Sequence, residues 1–172
     1  MSMQNRPENR PEKKIKLDIP LVFSKRPSWH KTFMDICEIM AKRSTCCKLK
    51  TASIIVKDKR IISTGYNGTP SGTEHCDDYF KEKKYSVARA EHMTWCVDHE
   101  LHAERNAIYY AAQEGIALKN TTLYTLYSPC INCAKGILSC GITQIYYKHK
   151  YHKGDSGLKL LRSAGVSCGC LE

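Results

Sequence analysis

The chain has 172 residues, enough for one domain with a substantial core. No run approaches the roughly 20 apolar residues of a membrane-spanning helix, and ten cysteines, several clustered with histidines, suit metal binding in a reducing, cytoplasmic compartment better than a disulfide framework. Lysine and arginine total 27 against 17 acidic residues, and the formal net charge of +10 suits a phosphate-bearing partner, whether nucleotide or nucleic acid.

Residues 1–27 carry seven bases and three acids, with a short repeat, Arg6-Pro7-Glu8-Asn9 and then Arg10-Pro11-Glu12. This composition predicts a flexible basic extension, and residues 1–18 are too polar for a signal peptide. The folded domain is expected over 28–172. Ser28 is placed to cap a helix running to about residue 43, with Trp29, Phe33, Ile36, Cys37 and Met40 as its apolar stripe. Runs 51–56 and 60–66 are rich in β-formers and separated by a short polar turn, which predicts a hairpin. Residues 67–101 read as a long, polar, irregular insertion, a feature that in a compact domain is usually functional or metal-braced.

Ala103, Ala107, Ile108 and Ala111 then recur at helical spacing, and Gly115 is a natural stop. A strand is expected at 122–126. A second helix is expected at 130–139, opened by Pro129 and ended by Gly141. A strand at 142–147, a short helix at 156–164 and a last strand at 166–168 complete the pattern. Strands alternating with helices after an initial hairpin imply an α/β protein with a mixed sheet and helices on both faces.

Two segments carry chemistry: His102-Ala103-Glu104 and Pro129-Cys130-Ile131-Asn132-Cys133. The imidazole of His102 and the thiolates of Cys130 and Cys133 suit a zinc ion with a fourth position open for water. Zinc lowers the pKa of bound water from about 15.7 to about 7, which supplies the nucleophile needed to replace an exocyclic amine by oxygen at neutral pH. Glu104 is the only acid inside the motif. It is the candidate to carry the proton from that water to the ring nitrogen and on to the leaving amine. A structural zinc site, or a pair of buried thiols, has no need of that carboxylate. The predicted helices put His102 and Glu104 in one first turn and the cysteines at the start of another, where helix dipoles favour thiolates.

A histidine and glutamate in H-x-E, followed by P-C-x-x-C, is the signature of the zinc nucleobase deaminases. With Gly65-Tyr66-Asn67-Gly68-Thr69-Pro70-Ser71-Gly72, Asn106-Ala107-Ile108, Ser128 and Lys150-Tyr151-His152, it makes residues 29–168 resemble a deoxycytidylate (dCMP) deaminase of the cytidine deaminase superfamily. The resemblance implies a three-layer α/β/α fold around a mixed five-stranded sheet. It implies hydrolysis of dCMP to dUMP and ammonia, feeding thymidylate synthesis. It assigns the deoxyribose contact to Asn67, places Tyr151 beside the nucleotide and Ala103 in the substrate pocket, and puts Lys50 near the phosphate. Many members are hexamers activated by dCTP and inhibited by dTTP, effectors that would bring Mg2+. Some viral relatives also accept dCTP as substrate. Two departures stand out: Thr51-Ala52-Ser53 replaces the usual Val-Gly-Ala of the first strand, and Gln113 stands where some phage-type members carry arginine.

The insertion has ligand types of its own. Phage-type dCMP deaminases brace it with a structural zinc, whose two cysteines match Cys46 and Cys76 and whose paired histidines match His92 in part. His92 and Cys96 stand at i, i+4, one face of a helix, so Cys96 is the inferred fourth ligand, with His75, Cys47 and His99 as competitors. Two rival functions use the same residues: a tRNA or single-stranded DNA deaminase, and a non-catalytic zinc module that binds nucleic acid. The first needs a basic groove interleaved with aromatic platforms, and the ten tyrosines form no such stripe. The second has no use for Glu104.

Overall fold

A computed structural model describes residues 26–83 and 88–171, so most of the basic extension expected over 1–27 lies outside the described residues. Ser28 is extended, and its side chain accepts a hydrogen bond from Lys31 N at 3.2 Å, so α1 (Trp29–Ala41) begins at the expected cap. The buried face is Phe33, Met34, Cys37 and Ala41, rotated from the expected stripe. Ile36 and Met40 lie at its flank, and Trp29 is 47% exposed and stacks on Phe33.

The hairpin forms as read. β1 (Ala52–Lys57) and β2 (Arg60–Tyr66) are antiparallel, joined at Asp58 and Lys59 with φ of 48° and 62°. Two consecutive positive φ values give a turn whose twist matches that of the flanking strands. The insertion is more regular than expected. It contains α2 (Cys76–Tyr79), a 3-10 turn at Lys81–Lys83 and α3 (Arg89–His99). Its apolar residues are too few to announce these helices. They close on one another through a satellite core of Cys46, Cys76, Phe80 and Trp95.

The remaining elements are α4 (Ala103–Gln113), β3 (Thr122–Tyr127), α5 (Ile131–Ser139), β4 (Gln144–His149), α6 (Asp155–Ser163) and β5 (Ser167–Cys170). Ile142 and Val166, expected to open strands, are instead buried in the core just ahead of β4 and β5. The sheet has five strands in the order β2-β1-β3-β4-β5. β1 is antiparallel to both neighbours, and β3, β4 and β5 run parallel.

Adjacent strand residues point to opposite faces. Ile54 therefore joins α1 on one side, while Ile55 joins α4, α5 and α6 on the other, with Leu123, Ile145, Ile137 and Leu161. Each such side chain, fully buried, stabilises by about 1.5–3 kcal/mol. One close approach fixes α4. A β-carbon on Gly65 would stand 2.3 Å from Ala107 N and 2.5 Å from Ala103 O, so the helix backbone rests directly on β2. Asn106 Nδ2 donates to Tyr66 O at 2.7 Å and Ser63 Oγ to Ala107 O at 2.6 Å, which locks the helix along the strand.

Candidate active site

The site lies past the carboxyl end of β3, where ligands collect on open α/β sheets. β3 leads through Ser128 and Pro129 into α5, and α4 arrives beside it. His102 and Cys130 are the N-cap residues of their helices, one position ahead of the expected first turns. His102 Nδ1 lies 3.6 Å from Cys130 Sγ and 3.4 Å from Cys133 Sγ. Nitrogen and sulfur ligands of one tetrahedral zinc stand about 3.6 Å apart, given Zn–N and Zn–S lengths of about 2.05 and 2.3 Å. The donor set and its spacing therefore fit zinc. Cys130 is pushed down to about 3 by the hydrogen bond from Cys133 and by the neighbouring His102, so a thiolate is favoured even before a cation adds its charge.

Glu104 is buried and follows His102 by two residues in the first turn of α4. Burial raises its pKa above the usual carboxylate range, and the neighbouring His102 opposes that rise. A carboxyl so raised holds a proton more readily than a free one, which suits a group that takes and returns protons. Ala103 is fully buried between ligand and acid.

Tyr151 is held at the rim. Its backbone N donates to Ser128 Oγ at 2.8 Å, and Ser128 N donates to His149 O at 2.9 Å. Burial raises its phenol above the ordinary value, and the charge of Cys130 adds to that. Gly157, in the first turn of α6, lets that helix rest on the cysteine loop: a β-carbon there would stand 2.2 Å from Pro129 O. Neither Ser128 nor Gly157 announces a positioning role in sequence, because each acts by contact across the fold.

Asn67 directly follows β2, and Lys50 lies in the loop ahead of β1. Asn67 Oδ1 accepts from Thr51 N at 2.9 Å, and its Nδ2 donates to Leu49 O at 2.8 Å. Lys50 Nζ donates to Ser44 O at 2.7 Å. Both side chains thus brace the 44–51 loop, and each keeps hydrogen-bonding capacity beyond those contacts.

A second cluster lies in the insertion. His92 Nε2 stands 3.4 Å from Cys46 Sγ, 3.4 Å from Cys76 Sγ and 3.4 Å from Cys96 Sγ. Three sulfurs at one distance from one imidazole nitrogen is the arrangement of a closed tetrahedral site. The competitors fall away from it. His75 Nδ1 pairs with Thr69 Oγ1 at 2.9 Å, and His99 Nδ1 donates to Trp95 O at 2.8 Å. Cys47 stands at the edge, its Sγ 3.7 Å from Cys76 Sγ. Glu100, which the sequence did not single out, packs its carboxyl against these thiols and is pushed up to about 7 by burial and by the charge of Cys46.

A His–Cys–Cys set with a buried carboxyl, on a three-layer α/β/α sandwich, defines the class of zinc-dependent hydrolytic deaminases. The chain belongs to the family described by the cytidine and deoxycytidylate deaminase zinc-binding region, whose model matches residues 27–149. It is 33% identical over 165 residues to the deoxycytidylate deaminase of enterobacteria phage T2, covering 78% of this chain and 88% of that protein. The deoxycytidylate deaminase of Saccharomyces cerevisiae is 34% identical over 150 residues, covering 83% of this chain and 44% of the yeast protein. Among solved structures, the dCMP deaminase of cyanophage S-TIM5, in complex with dCMP and dUMP, superposes with a TM-score of 0.70 at 28% identity, covering 86% of this chain and 99% of that one.

Proposed function

We propose that this protein hydrolyses dCMP to dUMP and ammonia. The observation that carries the reading is the buried Glu104 carboxyl beside the His102, Cys130 and Cys133 donor set. His102, Cys130 and Cys133 would hold the zinc, which would supply a nucleophile from water at neutral pH. Glu104 would take one proton from that water and give it to the ring nitrogen as oxygen adds at C4, then take the remaining hydroxyl proton and give it to the departing amine. The C4–N bond breaks, C4=O forms, and ammonia leaves, so atoms and charge balance. Ala103 closes the pocket floor, Asn67 contacts the deoxyribose, and Tyr151 covers the nucleotide from the rim. Lys50 offers its remaining ammonium hydrogens to the phosphate.

The insertion holds a second, structural zinc on Cys46, Cys76, His92 and Cys96, supported by the equal sulfur–nitrogen spacings. The domain is thus the deaminase unit over 28–172, braced across 67–101. Ten free cysteines suit a reducing, cytoplasmic setting. Among the described residues no helix is long and apolar enough to cross a membrane. Activation by dCTP, inhibition by dTTP with Mg2+, and a hexameric assembly follow from the family resemblance.

The test is product chromatography with zinc-loaded protein on dCMP, dCTP, cytidine and a cytosine-containing single strand, with and without dCTP as activator. Formation of dUMP that vanishes in Glu104→Ala supports the reading. Turnover of dCTP would make the enzyme bifunctional. Turnover of the strand alone would replace the reading with a polynucleotide deaminase.

A further inference from the structure

The cluster in the insertion has one more thiol than a closed tetrahedral site uses. Cys46, Cys76, His92 and Cys96 bring their donor atoms together. Cys47 stands outside that set, yet its Sγ lies 3.7 Å from Cys76 Sγ, and its backbone N donates to the same sulfur at 3.4 Å. Cys46 and Cys76 are buried, whereas Cys47 is half-exposed and within reach of a small solute in water. A disulfide bond is about 2.05 Å long, so the two sulfurs need to close by about 1.7 Å, the scale of a side-chain rotation. The same loop leads toward the candidate active site. Cys46 N donates to Ser44 Oγ at 3.2 Å, and Ser44 Oγ donates to Asn67 O at 2.8 Å.

We infer that Cys47 is a peroxide-oxidisable site that closes a disulfide with Cys76 and so takes one ligand away from the second zinc. The inference rests on the second-zinc reading above and goes beyond it. The oxidant is a peroxide. The Cys47 thiolate attacks one peroxide oxygen, the O–O bond breaks, and Cys47 becomes a sulfenic acid while hydroxide leaves and takes up a proton. The Cys76 thiolate then attacks the Cys47 sulfur. The S–O bond breaks, the S–S bond forms, and a second hydroxide leaves as water. Two thiols thus give up two electrons and two protons, and hydrogen peroxide becomes two waters. Cys46, His92 and Cys96 remain as three donors where a closed site has four, so the metal is held more weakly. A thiol reductant breaks the disulfide and restores the fourth donor.

The test treats the full zinc-loaded chain with hydrogen peroxide. A chromogenic chelator follows zinc release, and peptide mass spectrometry maps the cross-links. Wild type is expected to release one of its two zinc ions and to show a Cys47–Cys76 disulfide, and dithiothreitol with added zinc should reverse both. Cys47→Ala and Cys47→Ser should match wild type in zinc content and Tm before oxidation, because Cys47 is not a ligand. Both should then release zinc about tenfold more slowly, since a ligand thiolate must be oxidised without the neighbouring thiol. Equal release rates in wild type and the two variants, or zinc release without a cross-link at Cys47, would overturn the inference. A count of one zinc ion in untreated wild type would sink the underlying second-zinc reading as well, so the two failures are separable.

Discussion

Gly65 is the point at which one methyl group should reach the chemistry. Its added β-carbon in Gly65→Ala would sit 2.3 Å from Ala107 N and 2.5 Å from Ala103 O, both backbone atoms of α4. Restoring ordinary contact requires the helix to move away from β2 by about 1 Å, judged from contacts of about 3.4–4 Å between well-packed atoms. That motion strains the Asn106–Tyr66 and Ser63–Ala107 hydrogen bonds. Overpacking of this kind costs about 1–3 kcal/mol, a fall in Tm of roughly 3–10 °C for a domain of this size. The larger effect is on geometry. Ala103 is the first residue of α4, flanked by His102 and Glu104, while Cys130 and Cys133 are fixed to α5. A shift of about 1 Å between reacting groups costs about a hundredfold in rate. Melting curves, zinc content and kcat on dCMP measure all three. A variant with wild-type kcat, whatever its Tm, would refute the claim that this contact sets the position of His102 and Glu104.

Glu104→Gln should keep its zinc and its fold yet lose a hundredfold to ten-thousandfold in kcat, as expected when a proton carrier is removed. Elemental analysis should find two zinc ions per wild-type chain and one in Cys96→Ala, with a lower Tm in the variant because the loop it braces has little core of its own. A count of one in the wild type would exclude the second site. Burial pushes the Cys37 thiol up to about 12 from an ordinary value near 9. Between those pH values the folded chain keeps a proton that the unfolded chain releases, so stability should fall as pH rises, by about 1.4 kcal/mol per pH unit. Urea midpoints for wild type and Cys37→Val should therefore converge or cross between pH 9 and 11, and parallel curves would contradict the assignment.

The candidate zinc ligands were legible because the proposed reaction demands particular donors at short, fixed spacings, and the structure brings them together. His102 and Glu104 share one turn, and Cys130 and Cys133 share another, so local helix geometry nearly completes each half of the site. The strands and the later helices were legible for a similar reason: their apolar periods reflect which face is buried. The insertion was read as irregular because its helices are polar and short, and only Phe80, Trp95 and the thiol cluster close them into a unit. Trp29 was misplaced because periodicity gives a helix an apolar face but does not say how far the helix rolls on the sheet.

The sequence alone determined what is encoded within a few residues of chain: the candidate donor atoms and proton carrier, the helix start at Ser28, the hairpin turn, and the alternation that makes a mixed sheet. The tertiary structure decided everything that depends on groups far apart in the chain meeting in space. It gathered Cys46, Cys76, His92 and Cys96 into one cluster, paired His75 and His99 elsewhere, and turned Gly65 and Gly157 into contact points for helices. The physical reason is that local rules act through backbone geometry over one or two turns, whereas these choices follow from how whole elements pack on a common sheet, a balance of burial and steric fit that no short stretch of sequence records.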